Sequence, residues 1–187
     1  VARLVLDLAA TRSPTLGTGR LICIDGPAGS GKTTLAAAIE AGTCGAAVVH
    51  TDDLLAGWRG LMALQDQFAS LLEPLSRGTV GTYRRFDWAA DEYAEDVAVA
   101  PSPLLVIEGV GSGAPAYAHL CTVLVHVAAP RDLRLDRGME RDGTAMRGRW
   151  LQWLDDEEAL FDRDRPAELA DVLVDGTGAA PPVVRTA

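Results

Sequence analysis

The stretch "LICIDGPAGSGKTTLAAAIE" at residues 21–40 decides the fold. An apolar, strand-like run ends at Asp25, a glycine-rich segment follows, and Lys32 opens a run of helix-forming residues. Residues 26–33 fit the pattern G-x-x-x-x-G-K-[ST] without a mismatch, between a strand and a helix as the pattern requires. In such a loop the backbone N–H groups and the positive end of the helix bind phosphate. The stretch therefore predicts a P-loop (residues 26–33) that holds a nucleoside triphosphate.

The spacing also predicts what each part of the loop binds. The glycines let the backbone approach a phosphate, Lys32 is expected to reach the outer phosphates, and the Thr33 hydroxyl is expected to bind Mg²⁺. We expect ATP with Mg²⁺; the alternative is an ordinary glycine-rich turn. The residues predicted to contact the nucleotide are Gly26, Ala28, Gly29, Ser30, Gly31, Lys32, Thr33 and Thr34.

Apolar runs alternate with helical stretches along the rest of the chain. The runs lie at 20–25, 46–53, 103–110, 121–130 and 170–176, and the helical stretches at 32–42, 57–76, 131–142 and about 146–164. This alternation predicts one α/β domain over residues 1–187, a three-layer sandwich with a five-stranded parallel sheet and helices on both faces. Residues 77–101 are expected to form an acceptor-binding insertion and residues 131–150 an arginine lid. We expect the tail after residue 176 to be loose.

Carboxylates stand where these strands end, and ligands of parallel sheets bind beyond that edge. The residues are Asp25, Asp52, Asp53, Glu108 and Asp175. Glu108 is expected to hold the metal or its water, unless it is an ordinary acid at a strand end. Asp52 is the preferred general base for an acceptor hydroxyl and a further metal candidate, and Asp53 is expected to contact the substrate or the metal. The alternative for the pair is helix capping.

Arg134, Arg137 and Arg141 follow the fourth strand at helical spacing that puts them on one face. Arginines placed there can close on a transferring phosphoryl group and stabilise its charge. We expect Arg137 and Arg141 to act in catalysis and Arg134 to bind the nucleotide, with Arg147 and Arg149 extending the set. The alternative is a solvated face paired with acidic residues.

The segment "YRRFDW" at 83–88 lies in the insertion. Aromatic residues beside arginines and an aspartate can enclose a planar ring and bind its polar edge. The segment can equally be the packed surface of a hairpin. The candidate acceptor contacts are Arg85, Phe86, Asp87 and Trp88. The segment "VDGTG" at 174–178 is expected by its position to line the purine pocket.

The sequence resembles the uridine kinase-like group of P-loop kinases, which includes uridine-cytidine and nicotinamide riboside kinases. The segments that carry the resemblance are "IDGPAGSGKTT", "VVHTDDLL", "YRRFDW", "VIEGV" and "RLDRGMERD", in the family's order over roughly residues 20–176. The resemblance implies transfer of the ATP γ-phosphate to a sugar hydroxyl, with Asp52 as the base. The family usually places two aromatic residues after that base. Here Leu54 and Leu55 stand there, which implies less stacking surface for a nucleobase.

We therefore expect a small-molecule kinase acting on a nucleoside or similar polyhydroxy acceptor. Two alternatives stay open: an ATP-binding regulatory protein with little or no transfer activity, and a P-loop kinase for a sugar, an antibiotic or a nucleotide-sugar. Turnover of ATP without an added acceptor would distinguish the regulator from a kinase.

Composition limits the partners. The formal net charge of −9 argues against a nucleic acid held through many phosphates. No uncharged apolar run approaches the about 18 residues of a membrane span, and the amino end does not read as a signal peptide. The three cysteines lack paired spacing and are expected to be buried free thiols, which favours the cytoplasm. We expect a small-molecule acceptor, no nucleic acid, no membrane, and a monomer or homodimer.

Overall fold

The computed structural model describes residues 1–185. The strands are β1 (Arg20–Asp25), β2 (Ala46–His50), β3 (Gly81–Asp87), β4 (Glu92–Val99), β5 (Leu104–Glu108), β6 (Val123–Ala128), β7 (Val172–Asp175) and β8 (Val183–Val184). The helices are α1 (Ala2–Thr11), α2 (Lys32–Ala41), α3 (Thr51–Leu54), α4 (Leu64–Ser76), α5 (Arg131–Asp142), α6 (Arg147–Asp164) and α7 (Pro166–Leu169). None of the helices within these residues is long and apolar enough to cross a lipid bilayer.

The main sheet has the order β2-β5-β1-β6-β7-β8. Its first five strands are parallel, as the sequence predicts, and β8 adds a sixth, antiparallel strand against β7. The expectation of five strands and a loose tail is therefore wrong for Val183–Val184. The last two residues of that tail, 186–187, lie outside the described part of the chain.

The strands are apolar on both faces because helices cover both. On one face Ile22, Val106 and Val125 pack with Val5 of α1 and Ile39 of α2. On the other face a second apolar cluster joins the sheet to α4 and α6, through residues that include Leu105, Ile107, Phe68, Leu71, Trp153 and Leu160. The predicted three layers are confirmed, and all strand carboxyl ends of the parallel part meet at one edge.

Two segments differ from their predicted form. Residues 57–76 are two short 3₁₀ turns (Gly57–Arg59 and Leu61–Ala63) before α4, and Pro74 lies inside α4 rather than ending it. The insertion is an antiparallel hairpin of β3 and β4. Of the three free cysteines, Cys23 is buried as expected, whereas Cys44 is exposed and Cys121 is half-buried.

Candidate functional site

The P-loop connects β1 to α2 and contains three glycines with positive φ: Gly26 (135°), Gly29 (76°) and Gly31 (105°). A side chain at Gly26 would overlap the Val127 carbonyl, so the loop lies directly against β6. A Cβ at Gly31 would meet nothing within 4 Å. The loop is thus packed on its sheet side and open at the helix end, where a phosphate would bind.

A cavity of about 570 Å³, called here the central cavity, opens in front of the P-loop. It brings together residues from β2–α3, β5, the hairpin and the α5–α6 segment. Its lining includes Ala28, Gly29, Lys32, Thr33, Asp52, Asp53, Trp58, Trp88, Glu108, Arg141, Asp142, Met146, Arg149, Trp150 and Trp153. The predicted loop residues, base candidates and strand-end acid therefore share one space.

At the P-loop end of the cavity, Glu108 accepts two hydrogen bonds on the same oxygen. Thr33 Oγ1 donates to Glu108 Oε1 at 3.1 Å, and His50 Nδ1 lies 2.6 Å from that oxygen. The hydrogen bond to Glu108 raises the pKa of His50. His50 is not among the residues predicted from the sequence; the signal for it is that it ends β2 in register with Glu108 of β5.

Lys32 is buried, and its Nζ donates to the Pro27 carbonyl oxygen at 2.9 Å. Burial lowers the pKa of Lys32, while the nearby carboxylates of Glu108, Asp25 and Asp52 favour its charged form. The ammonium group is thus held within the loop, among acids, rather than in solvent.

Asp52 lies in the first turn of α3 and lines the cavity. Asp52 is accessible to solvent at the cavity mouth, yet desolvation by the surrounding protein raises the pKa of its carboxyl, and Lys32 and Arg141 oppose that rise. No side-chain capping bond is present at the start of α3, so the capping alternative finds no support. The Asp52 main-chain oxygen accepts the indole N–H of Trp88 at 2.9 Å, which ties the hairpin to this turn.

The other two strand-end acids hold loops and do not line the cavity. Asp25 is buried and accepts the N–H groups of Gly26, Gly111 and Gly113 at 2.7, 2.9 and 2.8 Å. Asp175 accepts the N–H and hydroxyl of Thr177, which closes the turn after β7. Their position at the strand ends is as predicted, but their bonds are structural.

The three helical arginines separate along α5. Arg141 lines the central cavity and lies over the Trp150 ring, 5.6 Å from its centroid. Arg137 instead donates to the main-chain oxygens of Gly29 at 2.9 Å and Gly176 at 3.1 Å. Arg134 is buried and pairs with Glu157. Main-chain oxygens and Glu157 hold Arg134 and Arg137 in this structure, and neither lines the cavity; the roles expected for Arg134 in nucleotide binding and Arg137 in catalysis stay predictions. The predicted extension by Arg149 does reach the cavity.

The hairpin contributes one cavity residue. Trp88 lines the cavity, whereas Arg85 pairs with Glu95 at 2.7 Å on the surface. Phe86 is buried against Trp88 and Tyr93. Asp87 accepts the N–H groups of the turn residues 89 and 90. Arg85, Phe86 and Asp87 make the contacts of the hairpin-packing alternative and do not line the cavity, and their role as acceptor contacts stays a prediction.

All four tryptophans of the chain line the central cavity. The Trp58 ring contacts Trp88, Trp150 and Trp153 edge-to-face, with centroids 5.7, 6.4 and 5.8 Å apart. Leu54 and Leu55 are buried in the core and do not line the cavity. Accessible aromatic surface is nevertheless present on Trp58 and Trp88, and Trp58 packs on the buried Trp150 and Trp153 of α6.

The residues present fit a triphosphate with Mg²⁺. Hard oxygen donors from Thr33, Glu108 and Asp52 face the cavity beside the open helix end of the P-loop. Among residues 1–185, no group of three or more His, Cys, Asp or Glu could hold a metal on its own. That suits Mg²⁺, which usually takes one or two protein carboxylates together with phosphate oxygens and water.

Comparison with solved structures shows the fold. A candidate fructose transport system kinase from Silicibacter sp. TM1040 is similar with a TM-score of 0.61 and 23% identity, over 90% of this chain and 94% of that one. A possible uridine kinase from Bacillus stearothermophilus has a TM-score of 0.57 and 22% identity, over 84% and 89%. No family model and no curated protein matches the sequence. The chain has the fold of these P-loop proteins, as the resemblance predicted.

Proposed function

We propose that this protein is an ATP- and Mg²⁺-dependent kinase that transfers the γ-phosphate to a hydroxyl of a small acceptor. The observation that carries the proposal is the central cavity, where the P-loop residues Lys32 and Thr33 lie together with Asp52 and an aromatic wall. A protein that only bound ATP would need neither the Asp52 carboxylate nor the part of the cavity that is lined by tryptophans.

Each residue then has a separate task. Lys32 and the P-loop amides bind the phosphates, and Thr33 with Glu108 would hold Mg²⁺, which neutralises phosphate charge when bound. Asp52 takes the proton from the acceptor hydroxyl. Its raised pKa suits that task, because a base works best when its pKa lies closer to the working pH. Arg141 stabilises charge on the phosphoryl group from the opposite wall.

The part of the cavity away from the P-loop, lined by the tryptophans with Asp53 and Asp142, favours an acceptor with a flat ring and hydroxyl groups. Trp88 and the half-buried Trp58 offer ring surface for stacking, and Asp53 and Asp142 offer carboxylates for hydroxyl or amino groups. We propose a nucleoside or a similar polyhydroxy compound on this basis.

The test is phosphate transfer from ATP with Mg²⁺ to a panel of nucleosides, sugars, antibiotics and nucleotide-sugars, with products identified by mass. Asp52→Asn should lower the transfer rate by about 10²–10⁴-fold while ATP binding persists. Asp66→Asn, at an exposed position on α4, is the matched control and should behave like the parent. If nothing gains phosphate and Asp52→Asn hydrolyses ATP like the parent, the protein is a nucleotide-binding regulator instead.

A further inference from the structure

A buried carboxylate on α6 contacts the back of the P-loop. Glu157 is 1% exposed, and its Oε2 accepts the N–H of Ala28 at 2.8 Å. Its other oxygen pairs with Arg134, which is also buried and donates Nε to the Ala129 oxygen at 3.1 Å. A buried ion pair contributes little net stability compared with apolar residues of the same size. Stability alone therefore does not account for Glu157.

The neighbouring peptide unit is held in the same way. Arg137 donates to the Gly29 oxygen at 2.9 Å and, through its other terminal nitrogen, to the Gly176 oxygen at 3.1 Å. A Cβ at Gly29 would lie 2.8 Å from the main-chain oxygen of Arg134. The first half of the P-loop is thus built onto α5 and α6 rather than being a free loop.

The helix that carries Glu157 also forms a wall of the central cavity. Trp150, Trp153 and Glu157 lie at i, i+3 and i+7, on the buried face of α6. Trp150 packs on Gly138 of α5 and donates its indole N–H to Asp142 at 2.9 Å. Because α5 and α6 are packed together here, a shift at the Glu157 end must also move the tryptophans.

We propose that Glu157 is a positioning residue that fixes the P-loop at Ala28 and couples phosphate binding to the tryptophan wall of the acceptor site. The inference rests on the proposed function only in taking a nucleoside triphosphate as the P-loop ligand. The inference predicts that loss of the Glu157 charge weakens nucleotide binding, whereas electrostatics alone would predict tighter binding. Removing a negative charge beside a phosphate site would by itself tighten binding. Loss of the Ala28 contact leaves the loop less ordered, and binding then weakens.

The experiment compares the parent, Glu157→Gln and Glu158→Gln. Glu158→Gln removes the same charge at the next residue of α6, but the Glu158 side chain is exposed and pairs with Arg131 at 3.3 Å. Calorimetric titration with a non-hydrolysable ATP analogue and Mg²⁺ should show about tenfold weaker binding for Glu157→Gln, from one weakened charged hydrogen bond, and no loss for Glu158→Gln. Tryptophan fluorescence should change on binding in the parent and in Glu158→Gln, and this change should be lost or reduced in Glu157→Gln.

Equal or tighter binding by Glu157→Gln would overturn the inference, and so would a lower unfolding temperature with unchanged affinity, which marks a purely structural role. If the parent itself gives no binding heat, the proposed function fails together with the inference. If the parent binds the analogue and Glu157→Gln binds it equally well, the inference alone fails. Should Glu157→Gln not fold, the double variant Arg134→Met/Glu157→Met replaces both charges by apolar side chains, which buried pairs tolerate. It lacks the Ala28 acceptor and should show the same loss of affinity; parent-like affinity would refute the role.

Discussion

Replacing Gly138 by alanine should destabilise the protein, although this change inside a helix normally stabilises it by about 1 kcal/mol. A Cβ at position 138 would lie 2.5 Å from Cζ2 and 2.7 Å from Cδ2 of Trp150. The indole is only 2% exposed and cannot move aside into solvent. Overpacking of this kind costs about 1–3 kcal/mol, and a rigid, buried ring puts the cost near the upper end. The net loss should be about 2 kcal/mol.

The assay is thermal unfolding followed by circular dichroism, with Gly148→Ala as the matched control. Gly148 lies in α6 and a Cβ there meets nothing within 4 Å, so the same substitution should stabilise by up to about 1 kcal/mol. For a chain of this size, Gly138→Ala should lower the unfolding temperature by roughly 4–8 °C and Gly148→Ala should raise it by a few degrees. A Gly138→Ala protein that unfolds at or above the parent temperature would refute the close packing of α5 on Trp150.

Three further predictions concern buried and surface polar groups. Burial lowers the pKa of His126 from 6.5 to about 4. As the pH falls, the unfolded chain therefore takes up the proton first, and the free energy of unfolding should decrease by up to about 3 kcal/mol between pH 6.5 and 4. Urea unfolding at several pH values should show this decrease, and it should be smaller in His126→Gln. Asp25→Asn turns an NH₂ group toward backbone donors and should cost about 2–4 kcal/mol in the same assay, with parent-like stability contradicting the three observed bonds. Arg85→Ala should leave the acceptor KM and the unfolding midpoint unchanged, because its bond to Glu95 lies on the surface outside the cavity; a raised KM would restore Arg85 as an acceptor contact.

Features set by local spacing could be predicted from the sequence. The P-loop follows from eight consecutive residues, and the five parallel strands follow from apolar runs that are long enough to be seen. β8 is different, because it has two residues and forms only by pairing with β7 at a distance along the chain. A pair of valines in a proline- and glycine-rich tail carries no alternation that would indicate a strand.

The aromatic wall could not be predicted because its members come from three separate segments. Trp58, Trp88 and Trp150 are 30 or more residues apart, and their rings meet only because the hairpin and α6 pack around the 3₁₀ turn that carries Trp58. Glu157 did carry a local signal. It occupies the same helical face as Trp150 and Trp153, so an acid at that position of "DDEE" was out of place on a buried face.

The arginines show that side chains on one helical face can make quite different contacts. Arg134, Arg137 and Arg141 do share a helix, as their spacing predicts. At 1.5 Å per residue, however, the seven residues from 134 to 141 span about 10 Å along the axis. In this structure the face extends from Arg134 at Glu157 to Arg141 at the central cavity, and its three arginines contact different groups. Spacing places side chains on a face, while the position of the helix along its neighbours decides what each one binds. On this basis Arg141, at the cavity end, is the α5 arginine whose loss should affect transfer, whereas loss of Arg134 or Arg137 should affect the P-loop.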